Sequence, residues 1–136
     1  MFNNKSILFK LAKAYQRVNS DFKGRFQKFG ITPMQLLVLD TLYDEEGLSL
    51  VEIGNRIVID RATLSGVIDR MVEGGWIIKS TSSQDRRFLQ IHLTERARFF
   101  QDSILEEIEK ANEDILNSFR LEERMLLDRM LKDLQK

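Results

Sequence analysis

Residues 60–94, DRATLSGVIDRMVEGGWIIKSTSSQDRRFLQIHLT, decide the fold of this chain. Their first part predicts an amphipathic helix, because apolar residues recur at spacings of three and four from Leu64 to Val72. Asp60 is the expected N-cap of this helix, and Gly74-Gly75 is the expected stop. Aromatic and β-branched residues then predict a β-hairpin. Its strands are expected at Trp76–Lys79 and Phe88–Leu93, with a polar loop at 80–87.

A polar helix face followed by a basic hairpin tip is typical of units that bind duplex DNA. A helix fits the major groove, and a narrow loop tipped with arginine fits the neighbouring minor groove. The outer face of the helix carries small, hydroxylated and basic residues, which suit contacts to base edges and phosphates. The alternative for this face is an ordinary solvated surface. The candidate DNA contacts are Arg61, Ala62, Thr63, Ser65, Gly66 and Arg70 on the helix, Lys79 on the first strand, and Asp85, Arg86 and Arg87 at the tip.

Gly66 interrupts the predicted recognition helix and has two interpretations. Glycine inside a helix costs up to about 1 kcal/mol relative to alanine. The position is either a tolerated weakness or a point where the backbone approaches DNA closely, and the sequence leaves both open.

The remainder of the chain predicts further helices around this unit. Thr32 followed by Pro33 is a strong helix start, because the N–H that proline lacks would have no partner at that position. Thr94 is expected to cap one long helix that continues to Phe119. The buried side of the second helix is expected to carry Met34, Leu37, Val38 and Leu42. The predicted helices cover about residues 5–29, 33–43, 50–57, 61–73, 95–119 and 122–134.

The helices on either side of the central unit carry apolar stripes that need a partner surface. A domain of about 65 residues is too small to cover both stripes, so the economical arrangement packs the flanks together and against a second copy. We therefore expect a mainly α chain with a small β-wing, a winged helix-turn-helix with flanking dimerisation helices. The expected divisions are an N-terminal dimerisation helix at 1–30, a DNA-binding domain at 31–94, and C-terminal dimerisation helices at 95–136.

Composition excludes several classes of function. There is no cysteine, so disulfides and thiolate metal sites are excluded, and no nucleophile–base spacing, phosphate-cradling loop or metal pattern indicates an enzyme or a cofactor. No apolar run approaches a membrane span, and we expect a cytoplasmic protein without membrane contact. The 21 basic and 21 acidic residues cancel, which argues against binding nucleic acid through bulk charge. The rival hypothesis is accordingly a winged-helix protein–protein interaction module that does not bind DNA.

These motifs together resemble the multiple-antibiotic-resistance-regulator (MarR) family of winged-helix transcription regulators. The resemblance implies a homodimer that binds pseudo-palindromic operator DNA, usually to repress transcription. It also implies that Arg87 enters the minor groove, with Asp85 orienting it and Arg86 contacting a phosphate. The matching motifs are Thr32-Pro33 with Gln35, Asp60-Arg61-Ala62-Thr63-Leu64-Ser65, Gly75-Trp76-Ile77, and Asp85-Arg86-Arg87 six residues before Leu93-Thr94.

Three aromatic residues of the N-terminal helix have two interpretations. Tyr15, Phe22 and Phe26 either belong to a dimer core or line a cavity for a small aromatic effector, where the flanking helices meet the DNA-binding unit. The resemblance supports the second interpretation, since relatives bind aromatic acids there. His92, the single histidine, is expected to be structural because it lies on an apolar strand without cysteine neighbours, and the sequence identifies no acidic partners for a metal site.

Overall fold

The computed structural model describes residues 4–57, 59–81 and 89–136 of the 136-residue chain. Within these ranges the chain is mainly α-helical with one antiparallel hairpin, as expected. A 3-10 turn, Gln27–Phe29, extends the first helix. The helices are α1 Ile7–Phe26, α2 Pro33–Asp44, α3 Leu50–Ile57, α4 Arg61–Glu73, α5 Glu95–Phe99, α6 Gln101–Leu116 and α7 Leu121–Leu134; the strands are β1 Ile77–Thr81 and β2 Leu89–Leu93.

Side-chain caps fix the positions at which the helices begin. At α2 the Gln35 N–H donates to the Thr32 hydroxyl at 3.2 Å, and the Thr32 N–H donates to the Gln35 side chain at 3.1 Å. Ser49 and Glu52 form the same reciprocal pair at α3. Each cap satisfies a backbone donor that the helix leaves free. Ser6, Asp60 and Thr94 cap α1, α4 and α5 through their side chains, without the reciprocal bond.

The first strand of the hairpin begins one residue later and ends two residues later than the sequence predicts, so Trp76 lies outside it. Ile77 pairs with Leu93, and the ladder continues to Thr81, which pairs with Leu89. Ser80 and Thr81 therefore belong to β1, although their polarity favoured a loop that began at residue 80. Pairing across the ladder satisfies their backbone groups and overrides the weak strand preference of serine.

One hydrophobic core joins the central unit to the adjoining ends of the flanks. Phe26 from α1 and Ile104 from α6 are both fully buried in it. The Tyr43 hydroxyl donates to the Ala97 carbonyl at 2.7 Å, and burial raises the Tyr43 pKa to about 12. Other fully buried side chains come from α2, α3, α4 and the hairpin: Val38, Leu39, Leu42, Ile53, Leu64, Ile68, Met71, Ile77 and Ile91.

Two details of helix packing differ from the predictions. Leu37 was expected on the buried side of α2 but is 43% exposed, because Leu36 and Leu39 occupy the inward positions. The helix predicted from Thr94 to Phe119 is divided near Phe100, whose ring packs against Phe29 and Trp76 with centroid distances of 6.1 and 5.9 Å. Both differences depend on tertiary contacts that helical periodicity does not contain.

The flanks are joined by charged side chains but leave much apolar surface exposed. Arg25 of α1 bonds Asp21 and Asp114 at 2.7 Å each and Glu107 of α6 at 3.4 Å. Lys28 also bonds Glu107. None of the residues of α7 is buried by the described chain. In those ranges, no helix is long and apolar enough to cross a membrane.

Candidate nucleic-acid interface

Helix α4 presents a polar face opposite its buried face. Leu64, Val67, Ile68 and Met71 are buried in the core, which fixes the rotation of the helix about its axis. The candidate contacts consequently lie on the accessible side. Arg61, Ala62, Thr63, Ser65 and Arg70 are exposed, and Gly66 is partly exposed.

The start of α4 is held by Asp60. Its carboxylate accepts the Thr63 N–H at 2.9 Å and the Thr63 hydroxyl at 2.8 Å. The bond from the Thr63 N–H, together with that hydroxyl bond, lowers the Asp60 pKa. Asp60 is therefore a cap rather than a DNA contact, and the methyl group of Thr63 is the part left for a base. Arg61 forms no ion pair within ranges 4–57, 59–81 and 89–136.

The base of the hairpin is fixed against α4 by two contacts. Lys79 Nζ lies 2.6 Å from Asp69 Oδ1, which connects β1 to α4. The Arg96 guanidinium lies over the Trp76 ring at 4.4 Å and donates to the Gly74 carbonyl. A cation over an indole ring is a favourable arrangement. The predicted tip residues Asp85, Arg86 and Arg87 lie outside the described residues.

Comparisons with known proteins agree with this arrangement. Residues 31–88 match the model of the MarR family. The transcriptional regulator SarZ of Staphylococcus epidermidis is 25% identical over 132 residues, covering 97% of this chain and 86% of that protein. The crystal structure of a probable transcriptional regulator from Pseudomonas aeruginosa has a TM-score of 0.88 and 27% identity, covering 96% of this chain and 98% of that one.

A third similar protein binds DNA under the control of a small molecule. Bordetella bronchiseptica BpsR, whose DNA binding is regulated by 6-hydroxynicotinic acid, has a TM-score of 0.90 and 25% identity, with 98% of this chain and 96% of that one covered. The relatives are regulators rather than enzymes.

The chain is similar to transcription regulators of the MarR family across its winged-helix unit. This agrees with the resemblance read from the sequence, with the winged-helix fold and with the expectation that the protein is not an enzyme.

Packing inside the chain does not require glycine at position 66. A Cβ placed there would lie 3.8 Å from Arg70 Nη2, which is ordinary van der Waals contact. Gly66 is helical, so no left-handed backbone explains it either. Arg70 has no ion pair among the described side chains. Its guanidinium lies beside the turn that carries Gly66, where a phosphate could reach it.

The Lys79–Asp69 pair is a feature that the sequence did not reveal. The two residues are ten positions apart and lie on different elements. They meet because of the angle at which β1 leaves α4, and no local pattern encodes that angle. The role of Lys79 as a phosphate contact stays a prediction, now with Asp69 as the competing partner.

A cavity of about 310 Å³ lies where α1, α2 and α6 meet. Tyr15 and Phe22 line it, as the effector interpretation expects. Phe26 does not, because it is fully buried and packs between Phe22 and Phe29 with ring centroids 5.9 and 5.7 Å apart. The expectation that all three line one cavity is therefore wrong for Phe26. Lining residues that the sequence did not indicate include Asn19, Leu37, Asp40 and Asn112.

His92 lies beside a carboxylate rather than in a metal cluster. Its Nδ1 is 3.7 Å from Glu46 Oε1, and Glu46 also accepts the Leu93 N–H and an Arg98 N–H, both at 2.8 Å. Burial raises the Glu46 pKa, but these hydrogen bonds outweigh it, and the net shift is downward. Among the described residues, no group of three or more histidine, aspartate or glutamate side chains could hold a metal ion.

Proposed function

We propose that this regulator binds a pseudo-palindromic operator as a homodimer and represses transcription, with a small effector altering its affinity for DNA. The observation that carries the proposal is the exposed polar face of α4, backed by a complete core and adjoined by the hairpin. A helix held in this way can enter the major groove without rearrangement.

Exposed apolar side chains support the homodimer. They lie on α1 and α7, at the two ends of the chain, and no described residue covers them. An isologous interface would bury the same side chains of both copies and hold two α4 helices at a fixed separation. These side chains include Leu8, Phe9, Leu11, Leu121, Met125, Leu126, Met130, Leu131 and Leu134.

The proposed contacts divide into base recognition and phosphate binding. Arg61 pairs with a guanine, Ala62 or Thr63 contacts a thymine methyl group, and Ser65 bonds a base or a phosphate. Arg70, Lys79 and Arg86 bind phosphates, which gives affinity and register rather than sequence choice. By the family pattern, Arg87 enters the minor groove and Asp85 orients it.

The position of the cavity supports effector gating. It lies between α2 of the DNA-binding unit and helices α1 and α6 of the flanks. A ligand there would change how the unit sits on the flanks and hence the distance between the two α4 helices. The precedent is BpsR, whose DNA binding is regulated by 6-hydroxynicotinic acid.

The direct test is selection of bound sequences from a random duplex pool with purified protein. We expect an inverted repeat whose half-sites are about ten base pairs apart. Operator affinity should fall roughly 10³–10⁵-fold between 50 and 200 mM salt if six to ten phosphates are bound. A folded dimer that enriches no sequence and shows weak salt dependence would instead support the protein-docking hypothesis.

An arginine pair tests the wing assignment. Arg87→Ala should weaken operator binding, whereas Arg129→Ala, on α7, should not, because Arg129 pairs with Asp133 on the same helix. Equal affinities of the two variants for the selected operator would refute the minor-groove role of Arg87.

A further inference from the structure

The cavity between α1, α2 and α6 has an unusual charge balance for a site that binds aromatic acids. Its lining contains the rings of Tyr15 and Phe22, the aliphatic side chain of Leu37, and one carboxyl group, that of Asp40. No lysine, arginine or histidine is among the described lining residues. A ligand carboxylate would therefore find no cationic partner in the cavity.

The polar lining groups are free to bind a ligand. In the described part of the chain, the side chains of Tyr15, Asn19, Asp40 and Asn112 form no hydrogen bond with another residue. Asn19 and Asn112 face the cavity from α1 and α6, and Asp40 faces it from α2. Polar groups that converge on an apolar cavity and have no internal partner are typical of binding sites.

Asp40 is the residue whose environment favours a cation. It remains accessible from the cavity, but the surrounding protein raises its pKa through burial, and Asp44 one turn away adds to the effect. Both causes make the ionised carboxyl less favourable, and a bound cation would relieve both. The rings of Tyr15 and Phe22 can also hold a cation at their faces.

The nearby start of α2 provides little compensation for an anion. A helix N-terminus generally attracts negative charge through its free N–H groups. Here Pro33, at the first helical position, has no N–H, and the Gln35 N–H is already bound by Thr32. Few free N–H groups therefore remain at this end of α2 to bind an anionic ligand.

We propose that this cavity binds a flat organic cation, an aromatic amidine or amine, with Asp40 as its counter-ion, and rejects aromatic carboxylates. Tyr15 and Phe22 supply the ring faces, and the amides of Asn19 and Asn112 orient the polar edge of the ligand. The inference rests on the proposed function for its regulatory consequence, release of DNA, but not for binding itself. It assigns this regulator a ligand of opposite charge to 6-hydroxynicotinic acid, the ligand of BpsR.

Three probes of one shape test the charge preference. They are 2-naphthamidine, a cation at neutral pH; 2-naphthamide, which is neutral; and 2-naphthoate, an anion. Calorimetric titration of the 136-residue protein should show the amidine binding at least about tenfold more tightly than the naphthoate, with the amide between them. Equal or tighter binding of the naphthoate, or binding of none of the three at millimolar concentration, would overturn the proposal.

Asp40→Asn identifies the counter-ion. The variant keeps the size of the side chain and removes its charge, so the amidine should lose about tenfold in affinity while the amide changes little. Asp44→Asn is the matched control: Asp44 does not line the cavity, and its loss should change amidine binding by less than about threefold. An unchanged amidine-to-naphthoate ratio in Asp40→Asn, with the thermal unfolding of the wild type retained, would contradict the role of Asp40.

A parallel DNA titration separates this inference from the proposed function. Protein that binds the selected operator but shows no amidine preference refutes the inference alone. Protein that prefers the amidine but selects no operator leaves the cavity assignment intact and refutes the proposed function. Release of operator by the amidine, and its loss in Asp40→Asn, would support both.

Discussion

The central winged-helix unit buries its apolar side chains within the chain, whereas the flanking helices leave many of theirs exposed. Leu39 and Met71, in the central unit, are completely buried within a single chain. Met125 and Leu134, on α7, are 66% and 60% exposed. Both regions have apolar residues at helical spacing, so periodicity alone does not distinguish them. The difference is that the central unit is buried in a core formed within one chain, to which Phe26 and Ile104 of the flanks contribute, whereas α7 leaves its apolar side chains exposed.

The two regions should also differ in how their stability depends on protein concentration. The stability of the central unit should depend on intramolecular packing. If α7 packs against a second copy, as proposed, its stability should instead rise with protein concentration by mass action. Substitutions in the two regions should therefore have different signatures as well as different sizes.

The largest effect is expected from Leu39→Ala. The side chain is fully buried in the shared core, so its truncation should lower the free energy of unfolding by about 2–5 kcal/mol. Urea denaturation at two protein concentrations measures the effect. Leu8→Ala, at a position 75% exposed in the single chain, should not destabilise the monomer. If both variants lost the same free energy of unfolding at concentrations where the protein is monomeric, the difference inferred between the central unit and the flanks would be wrong.

Met130→Glu should act on association instead. Within a homodimer the substitution would place a charge in an apolar interface, and the dissociation constant should rise roughly a hundredfold. Sedimentation equilibrium measures the change. Gln135→Glu adds the same charge at the polar end of α7 and should leave association almost unaltered. A Met130→Glu protein that remains as dimeric as wild type would show that α7 faces something other than a second copy.

Glu107→Gln tests the charged junction between α1 and α6. Lys28 and Arg25 bind this carboxylate, and the bond from Lys28 is the main cause that holds its pKa below the ordinary value of 4.5. The substitution should lower stability by about 1–3 kcal/mol at neutral pH. Glu106→Gln, on the exposed side of α6, should cost almost nothing.

The same variant predicts a dependence on pH. A carboxyl group with a lowered pKa in the folded state adds stability above its unfolded-state pKa, and this stability is lost as the pH falls through the folded-state pKa. Wild type should therefore lose more stability than Glu107→Gln when the pH is lowered from neutral to below 4.5. Parallel acid-unfolding curves for the two proteins would disprove a stabilising role for this carboxylate.

Gly66→Ala should have the smallest effect on stability. Replacing a helical glycine with alanine adds up to about 1 kcal/mol, and the new methyl group meets only the end of Arg70. We expect this gain together with weaker operator binding, because the methyl group would stand between the backbone and DNA. Gly24→Ala, in α1 with open space around it, should give the gain alone. Undiminished operator affinity in Gly66→Ala would make Gly66 a tolerated weakness.

Local chemistry explains which parts of the fold could be predicted. The caps at Thr32, Ser49, Asp60 and Thr94 act within four residues of themselves, so the sequence places the helix starts correctly. The division at Phe100 could not be predicted, because it depends on Phe29 and Trp76, which are distant in the sequence.

The candidate site divides in the same way. The outer face of α4 follows from helical periodicity, and its residues are exposed as expected. Asp40 was missed because nothing in the sequence distinguishes it from other surface aspartates. Only the packing of α1 and α6 beside α2 places it at a cavity. Phe26 was wrongly assigned to the cavity, because it belongs to the same apolar stripe of α1 as Tyr15 and Phe22 but packs in the core.

The Lys79–Asp69 pair has a consequence for how the protein would search for its operator. Lys79 already has an internal counter-ion, Asp69, at 2.6 Å, so its charge is partly neutralised before a phosphate binds. Binding at such a lysine releases fewer condensed ions overall than binding at a lysine without a counter-ion, and it contributes less to the salt slope. The internal ion pair therefore weakens binding to random DNA sequence more than binding to an operator, where many contacts form at the same time. A regulator with no net charge could thus leave the wrong DNA quickly while still recognising the right one.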